Sequence, residues 1–146
     1  MYEAVKYLHS YWAYLVVLIV VLATFNALIK YTRDRSYGSQ DFRVSLFTLI
    51  VSHLQFIIGL ILLFSSPYFA EAKKVGMGEL MKNEVLRLYV IEHPTTMLLS
   101  IILITIGYSK HKKERSSRPK FKKLAIFYSI GLLLLLSRIP WDQWFN

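Results

Sequence analysis

Three histidines stand out in this sequence because they lie in or beside stretches that are otherwise apolar. His53 and His93 fall inside such stretches, and His9 lies at the start of the first one. An ionisable side chain at membrane depth is costly and by default marks a functional site. Imidazole is also a common ligand of haem iron, copper and zinc. We therefore predict a cofactor site with His53 and His93 as ligands, and with His9 as an alternative ligand or a quinone contact.

The elements that must position these histidines are four long apolar runs. The chain is 55% hydrophobic with a mean hydropathy of +0.40. A helix crosses the ~30 Å hydrocarbon core with ~20 mostly apolar residues. The segment from Tyr14 to Phe25 has no polar face that a soluble helix would turn to water. The sequence thus predicts an all-α fold, a single domain over residues 1–146. It is an antiparallel four-helix transmembrane bundle with spans at about 8–30, 44–65, 86–108 and 121–140.

The first and fourth runs need a further argument. The first run is longer than the apolar part of a signal peptide and follows Glu3, so we expect a retained span. The fourth run reaches spanning length if Lys122 and Lys123 extend to one interface and Trp141 and Trp144 anchor the other.

The net charge of +9 predicts an orientation. Twelve of the 18 Lys and Arg residues lie in the connections between spans one and two and between spans three and four. The positive-inside rule places both connections in the cytoplasm and both termini outside. We expect contact with anionic lipid there and no nucleic-acid partner. His111 belongs to this solvated cluster and receives no ligand role, and residues Pro67 to Asn83 are expected to form an outer loop.

The orientation converts sequence position into depth. At 1.5 Å per residue, His9 falls near the outer boundary, His93 roughly 7–10 Å below it and His53 roughly 15 Å below it. Helix tilt and register can absorb the offset between His53 and His93. Pro94 follows His93 directly and removes a backbone amide hydrogen, so we expect a kink at this position.

Other polar residues could serve the same site. Thr48, Ser52, Gln55 and Gly59 recur at helical spacing, which is typical of close helix contacts in membranes. The Gln55 amide must find a partner within the bundle, and a histidine or a bound quinone oxygen would serve.

Charged residues lie near the outer edge of the predicted bundle. Arg138, and Arg87 nearer the interface, could bind the propionates of a haem buried from the outside. The alternative is an ion pair between Arg138 and Glu92 that ties spans three and four together.

The motifs leave three interpretations open. The chain has no cysteine, which excludes thiolate ligands, iron–sulfur clusters and covalently attached haem. It also lacks phosphate-binding glycine loops, a zinc-protease motif and a serine-nucleophile motif. The remaining interpretations are a b-type haem, a non-haem metal or proton-relay site, and histidines that only pack.

The chain resembles the small four-span membrane proteins of Bacteroidetes-type bacteria that are labelled cytochrome b. The segments that carry the resemblance are LHSYWAYL, SHLQFIIGLILLFSSP, GMGELMKNEVLRL, EHPTTM, ITIGYSKHKK and SRIPWDQW. It is more loosely similar to the four-helix halves of haem A synthase, in which histidines within the bundle hold haem. The resemblance implies a b-type cytochrome of a bacterial inner membrane, with both termini in the periplasm, that passes electrons between the quinone pool and a partner protein. The competing interpretation is a non-catalytic membrane subunit of a respiratory or envelope complex.

Overall fold

The structure, a computed structural model, describes residues 1–144, and these form helices and short connections with no β-strand. The all-α prediction is therefore confirmed. The helices are α1 (Tyr2–Thr32), α2 (Ser39–Ser65), α3 (Pro67–Lys82), α4 (Glu84–Arg87), α5 (His93–Lys113) and α6 (Ser117–Ser137), with a π-helical turn at Leu88–Glu92 and a 3₁₀ turn at Trp141–Gln143.

Three helices within residues 1–144 are long and apolar enough to cross a membrane. They are α1, α2 and the continuous helical stretch from Glu84 to Lys113 that ends in α5. These are the properties of a multi-pass membrane protein. The fourth predicted span, α6, differs because its first two turns carry four basic residues and it is apolar only from Leu124 onward.

The four long helices contact one another in a closed order. α1 packs against α2 and α6, and α5 packs against α6 and α2. Contacts between α1 and α2 join Asn26 to Asp41 at one end and His9 to Gln55 nearer the other, so these helices run antiparallel. α5 and α6 are also antiparallel, because the carbonyl of His111 meets Lys120 and the ring of His93 meets the carbonyl of Arg138.

The interior and the outer surface of this arrangement are both apolar. Val20, Val51, Ile104 and Phe121 are almost completely buried in the interior. Large apolar side chains also cover the outside, among them Leu18, Leu22, Phe25, Ile57, Ile61 and Leu133. Apolar surface on this scale is unusual for a soluble monomer and suits a hydrocarbon environment.

Small residues set the close approach of α5 to α6. A Cβ atom on Gly107 would lie 2.5 Å from the Cβ of Phe127, and one on Gly131 would lie 3.1 Å from the side chain of Ile104. The hydroxyl of Ser100 donates a 2.6 Å hydrogen bond to the carbonyl of Gly131 across the same contact. Small residues and interhelical hydroxyl bonds are what hold helices together in lipid, where the hydrophobic effect does not.

The prediction of a loop from Pro67 to Asn83 was wrong, since this segment forms α3. Its local signals are those of a helix: Pro67 occupies the first turn, and the Ser66 side chain accepts a hydrogen bond from the amide of Phe69. Gly76 interrupts the helix with a φ of 79°, a conformation that glycine adopts at little cost. The high content of charged residues masked these signals.

Gly107→Ala should destabilise the protein, because the added methyl group collides with the Cβ of Phe127, which cannot rotate away. We expect a loss of ~1–3 kcal/mol, as for other overpacked contacts. The measurement is the unfolding transition of the detergent-solubilised protein. Gly78→Ala in α3 is the matched control, because no atom lies within 4 Å of its added Cβ. Equal losses in the two variants would contradict the proposed close contact between α5 and α6.

Candidate functional site

A cavity of about 190 Å³ lies among the long helices. His9 and Ala13 line it from α1, Gln55 and Gly59 from α2, and His93 from α5. Ser52, Gln55 and Gly59 of the polar stripe of α2 therefore face the cavity. A volume of this size has room for several water molecules or for part of a larger ligand.

The cavity brings two histidines together. The ring centres of His9 and His93 are 6.2 Å apart, and the ring planes stand at 82° to each other. Nδ1 of His93 lies 2.7 Å from the carbonyl oxygen of Arg138. Since a carbonyl only accepts, Nδ1 carries the hydrogen, and Nε2 of His93 keeps a lone pair that can accept a hydrogen bond or bind a metal.

The α2 wall of the cavity holds His9 in place. Nε2 of Gln55 donates to the carbonyl oxygen of His9 at 3.0 Å and lies 3.4 Å from Nε2 of the His9 ring. Gly59 leaves room for the ring, because a Cβ there would lie 3.0 Å from Cε1 of His9. The prediction that Gln55 finds a histidine partner agrees with this contact.

Three buried polar atoms of the cavity residues have no hydrogen-bond partner among the described residues. They are Nδ1 of His9, Oγ of Ser52 and Oε1 of Gln55. Buried polar atoms are normally paired, so a cluster without partners calls for an explanation. A polar or metal-containing ligand in the cavity would supply one.

An irregular turn precedes His93. Residues Leu88–Glu92 form a π-helical turn rather than an α-helical one. Pro94 has no amide hydrogen to offer the carbonyl of Val90, and its ring crowds the turn before it. Such turns often occur at functional sites in helices. The sequence predicted a kink at this position, and the structure shows a π-helical turn directly before His93.

Glu92, the residue before His93, forms a cluster of charged side chains with Arg87 and Arg138. The carboxylate of Glu92 is 2.7 Å from Nε of Arg87 and 3.3 Å from Nε of Arg138. The ion pair between Arg138 and Glu92, which the sequence left as the alternative to a propionate contact, is thus formed. Arg87 also donates to the carbonyl of Met81. Both arginines therefore have partners on this chain.

His53 lies elsewhere. It is exposed on the outer face of α2 and does not line the cavity. Its Nδ1 is 2.7 Å from the carbonyl of Leu49, and its Nε2 is 3.4 Å from Oγ1 of Thr105. The structure therefore does not bring His53 and His93 together, and the pair that it does bring together is His9 and His93. Depth along the helix suggested the pair of His53 and His93. Ser52 lines the cavity, however, and His53, the next residue, points about 100° away from it.

The interpretation of His111 as a solvated residue was wrong. The side chain is completely buried, with Nε2 2.8 Å from the hydroxyl of Tyr37 and Nδ1 facing the carbonyl of Tyr108. Burial raises the pKa of the Tyr37 phenol, so this hydroxyl stays neutral and can donate to Nε2. Both ring nitrogens are satisfied, so His111 has a structural role. Sequence reasoning missed it because its neighbours in sequence are lysines.

Clusters suited to a protein-bound metal ion are absent from residues 1–144. No group of three or more His, Asp or Glu side chains is placed to hold one. A haem iron requires only two protein ligands, because the porphyrin supplies the other four. The donor set of the cavity, two imidazoles, matches that smaller requirement.

Comparisons with family models, with curated proteins and with solved structures give no match for this chain. The resemblance to small cytochrome b-like membrane proteins therefore stays a hypothesis that these comparisons do not test.

Glu92→Gln should lower the thermal stability of the solubilised protein, because it leaves the guanidinium groups of Arg87 and Arg138 without their carboxylate. These groups are partly exposed, so we expect a modest loss of ~1 kcal/mol. Adding Arg138→Leu to Glu92→Gln should recover part of that loss, which a double-mutant cycle would measure. Glu79→Gln is the control, because its partner Lys82 is mostly exposed. Strict additivity in the cycle would show that Glu92 and Arg138 do not interact.

Proposed function

We propose that the protein is a small integral-membrane b-type cytochrome whose haem is held between His9 and His93. The observation that carries this proposal is the 6.2 Å separation of the two ring centres across the cavity. At this spacing His9 and His93 would both reach a group bound between them, and they would be the residues that hold the haem.

The surroundings of the two rings suit residues that would hold a haem. A ligating histidine usually donates its other N–H to a carbonyl or carboxylate, and His93 donates Nδ1–H to Arg138. On the other side, Nδ1 of His9 has no partner and Gly59 leaves the ring space. A haem bound here would supply one-electron transfer. Glu92 forms ion pairs with Arg87 and Arg138. We therefore propose that these arginines hold Glu92 and place positive charge near His93, and that they do not contact the propionates directly.

The membrane arrangement belongs to the same proposal. We infer that α6 is a fourth span, with Lys122 and Lys123 extending to the interface, so that four antiparallel helices cross a bacterial inner membrane. The basic connections support a cytoplasmic location for the α1–α2 and α5–α6 turns and periplasmic termini. Electrons would pass between the quinone pool and a partner protein.

A second candidate function is a membrane subunit that holds no cofactor. The observation in its favour is that the charge cluster is complete without a ligand, since Glu92 binds both Arg87 and Arg138. The histidines would then only pack. The unpartnered atoms of His9, Ser52 and Gln55 argue for the cytochrome instead.

Single cysteines test the topology, because the chain contains no native cysteine. Ser39, Gly78 and Ser116 are exposed positions at helix ends or in α3. In intact spheroplasts, an impermeant maleimide should label Gly78→Cys and leave Ser39→Cys and Ser116→Cys unlabelled until the membrane is permeabilised. Labelling of Ser116→Cys from outside would reverse the proposed orientation.

Absorption spectra of the protein purified in mild detergent test the cofactor. A bis-histidine haem predicts a red protein with a low-spin reduced-minus-oxidised spectrum. His9→Ala and His93→Ala should each abolish that spectrum, because either change removes an axial ligand. His53→Ala is the matched control, since the same substitution falls outside the cavity, and it should retain the spectrum.

Two results would contradict the proposal. A colourless protein from haem-replete cells would favour the subunit without cofactor. Loss of the spectrum in His53→Ala, with retention in His9→Ala, would return the ligand role to His53.

A further inference from the structure

A second pocket, open to the surface, lies at the other end of α1 from His9. It has a volume of about 480 Å³, and the end of α1 and the α1–α2 connection line it with Ile29, Lys30, Arg33, Arg35 and Ser36. Three of these five residues are basic, and none is acidic. The proposed function uses none of them, so the pocket requires an account of its own.

The turn after α1 brings two arginines to this pocket. Residues two apart on a helix do not face each other, yet Arg33 and Arg35 line the same space. Asp34 between them has a φ of 51°, a left-handed conformation that aspartate adopts more readily than most residues. The amide of Arg35 donates to the carbonyl of Lys30 at 3.0 Å, and the amide of Arg33 bonds in the same way to Ile29. These bonds close the turn and occupy carbonyl oxygens that would otherwise repel an anion.

The guanidinium groups of these two arginines have no hydrogen bond or ion pair with any of residues 1–144. The acidic residues nearby are paired with other bases. Asp34 lies 3.7 Å from Arg118, and Asp41 binds Lys30 at 2.6 Å. The pocket therefore carries two positive charges that no carboxylate offsets. A guanidinium group binds phosphate oxygens through two parallel N–H bonds, so phosphate is the anion that suits this pair.

An apolar strip leads from the pocket along the outside of α1. Its members are Leu18, Leu22, Phe25 and Ile29, which lie on one helix face, and Arg33 continues the same face. Each of the four apolar side chains is about half exposed. At 1.5 Å per residue the strip is about 17 Å long, close to half of the ~30 Å hydrocarbon core. It therefore matches the length of an acyl chain in one leaflet, directly below the phosphate-binding arginines.

We propose that this pocket binds the phosphate group of one anionic phospholipid, with Arg33 and Arg35 on its oxygens and an acyl chain along the strip. The Ser36 hydroxyl adds a further donor. A free phosphate ion would use the same guanidinium groups but would leave the strip unused. General attraction of anionic lipid to basic connections needs no fixed geometry, whereas this site holds one lipid in one place. The site is outside the His9–His93 cavity and requires no haem, so it stands independently of the cytochrome proposal.

Native mass spectrometry of the full chain in a neutral detergent tests this site. Dioleoyl phosphatidylglycerol is titrated in, and dioleoyl phosphatidylcholine, which has the same acyl chains but no net charge, serves as the control ligand. The first phosphatidylglycerol molecule should bind more tightly than phosphatidylcholine. The double variant Arg33→Gln/Arg35→Gln should weaken this first binding by about tenfold or more, because two charge-assisted contacts are lost. Both side chains are exposed, so the fold should be retained.

Arg43→Gln/Arg115→Gln is the matched control. It removes the same charge from two other exposed arginines at the basic end, both outside the pocket, and should weaken the first binding less than about twofold. Equal weakening by the two double variants, or equal binding of the two lipids, would show diffuse attraction and overturn the proposal.

Phe25→Ala distinguishes a lipid from a free phosphate ion, because it removes a side chain of the strip and leaves the arginines in place. It should weaken the binding of phosphatidylglycerol and leave that of inorganic phosphate, measured by calorimetry, unchanged. If Phe25→Ala leaves lipid binding unchanged, or inorganic phosphate binds as tightly as the lipid, the pocket serves a free phosphate and the lipid proposal is wrong. None of these readings depends on whether the cavity holds haem.

Discussion

Hydrocarbon offers a polar side chain no hydrogen-bond partner, and each long helix of this protein is arranged around that constraint. Hydroxyl groups bond either to their own helix, as Thr24 does to the carbonyl of Val20, or across a helix contact, as Ser100 does to Gly131. The apolar outside needs no such partners. The positions of the polar residues, more than those of the apolar ones, therefore determine which helix faces meet and where a ligand can bind.

The two ends of the structure meet this constraint differently. At the basic end, Asp41 is buried but accepts from Lys30, Asn26 and the amide of Gly38, and His111 has partners for both ring nitrogens. At the other end, atoms of the cavity residues remain unpartnered. A buried polar group whose hydrogen bonds are all made contributes to the stability of the fold, and no ligand is needed to explain its burial. An unpaired one is better explained by a ligand, which is why the proposed function is assigned to the cavity.

The sequence predicted the helical class and the membrane helices, because long apolar runs and a minimum spanning length leave few alternatives. Depth along the helices also predicts that His9, His53 and His93 lie in the same half of the membrane, which stays a prediction. Apolar residues surround the helices on all sides and do not mark the inward faces. On α2 the stripe of Ser52, Gln55 and Gly59 does mark it, and His53 lies off that stripe, so depth alone was not enough to group His53 with the ligands. The burial of His111 depends on a contact with Tyr37, 74 residues away.

The charge cluster and the proposed ligand are joined through the end of α6. The last carbonyls of a helix have no partner within it, and His93 supplies one by donating Nδ1–H to Arg138. The guanidinium of the same Arg138 is bound by Glu92, the neighbour of His93 in sequence. Glu92 and His93, two adjacent residues, thus hold Arg138, the residue that follows α6, by its side chain and its backbone. The ion pair is therefore linked, through the backbone of Arg138, to the carbonyl that fixes which nitrogen of His93 carries the lone pair.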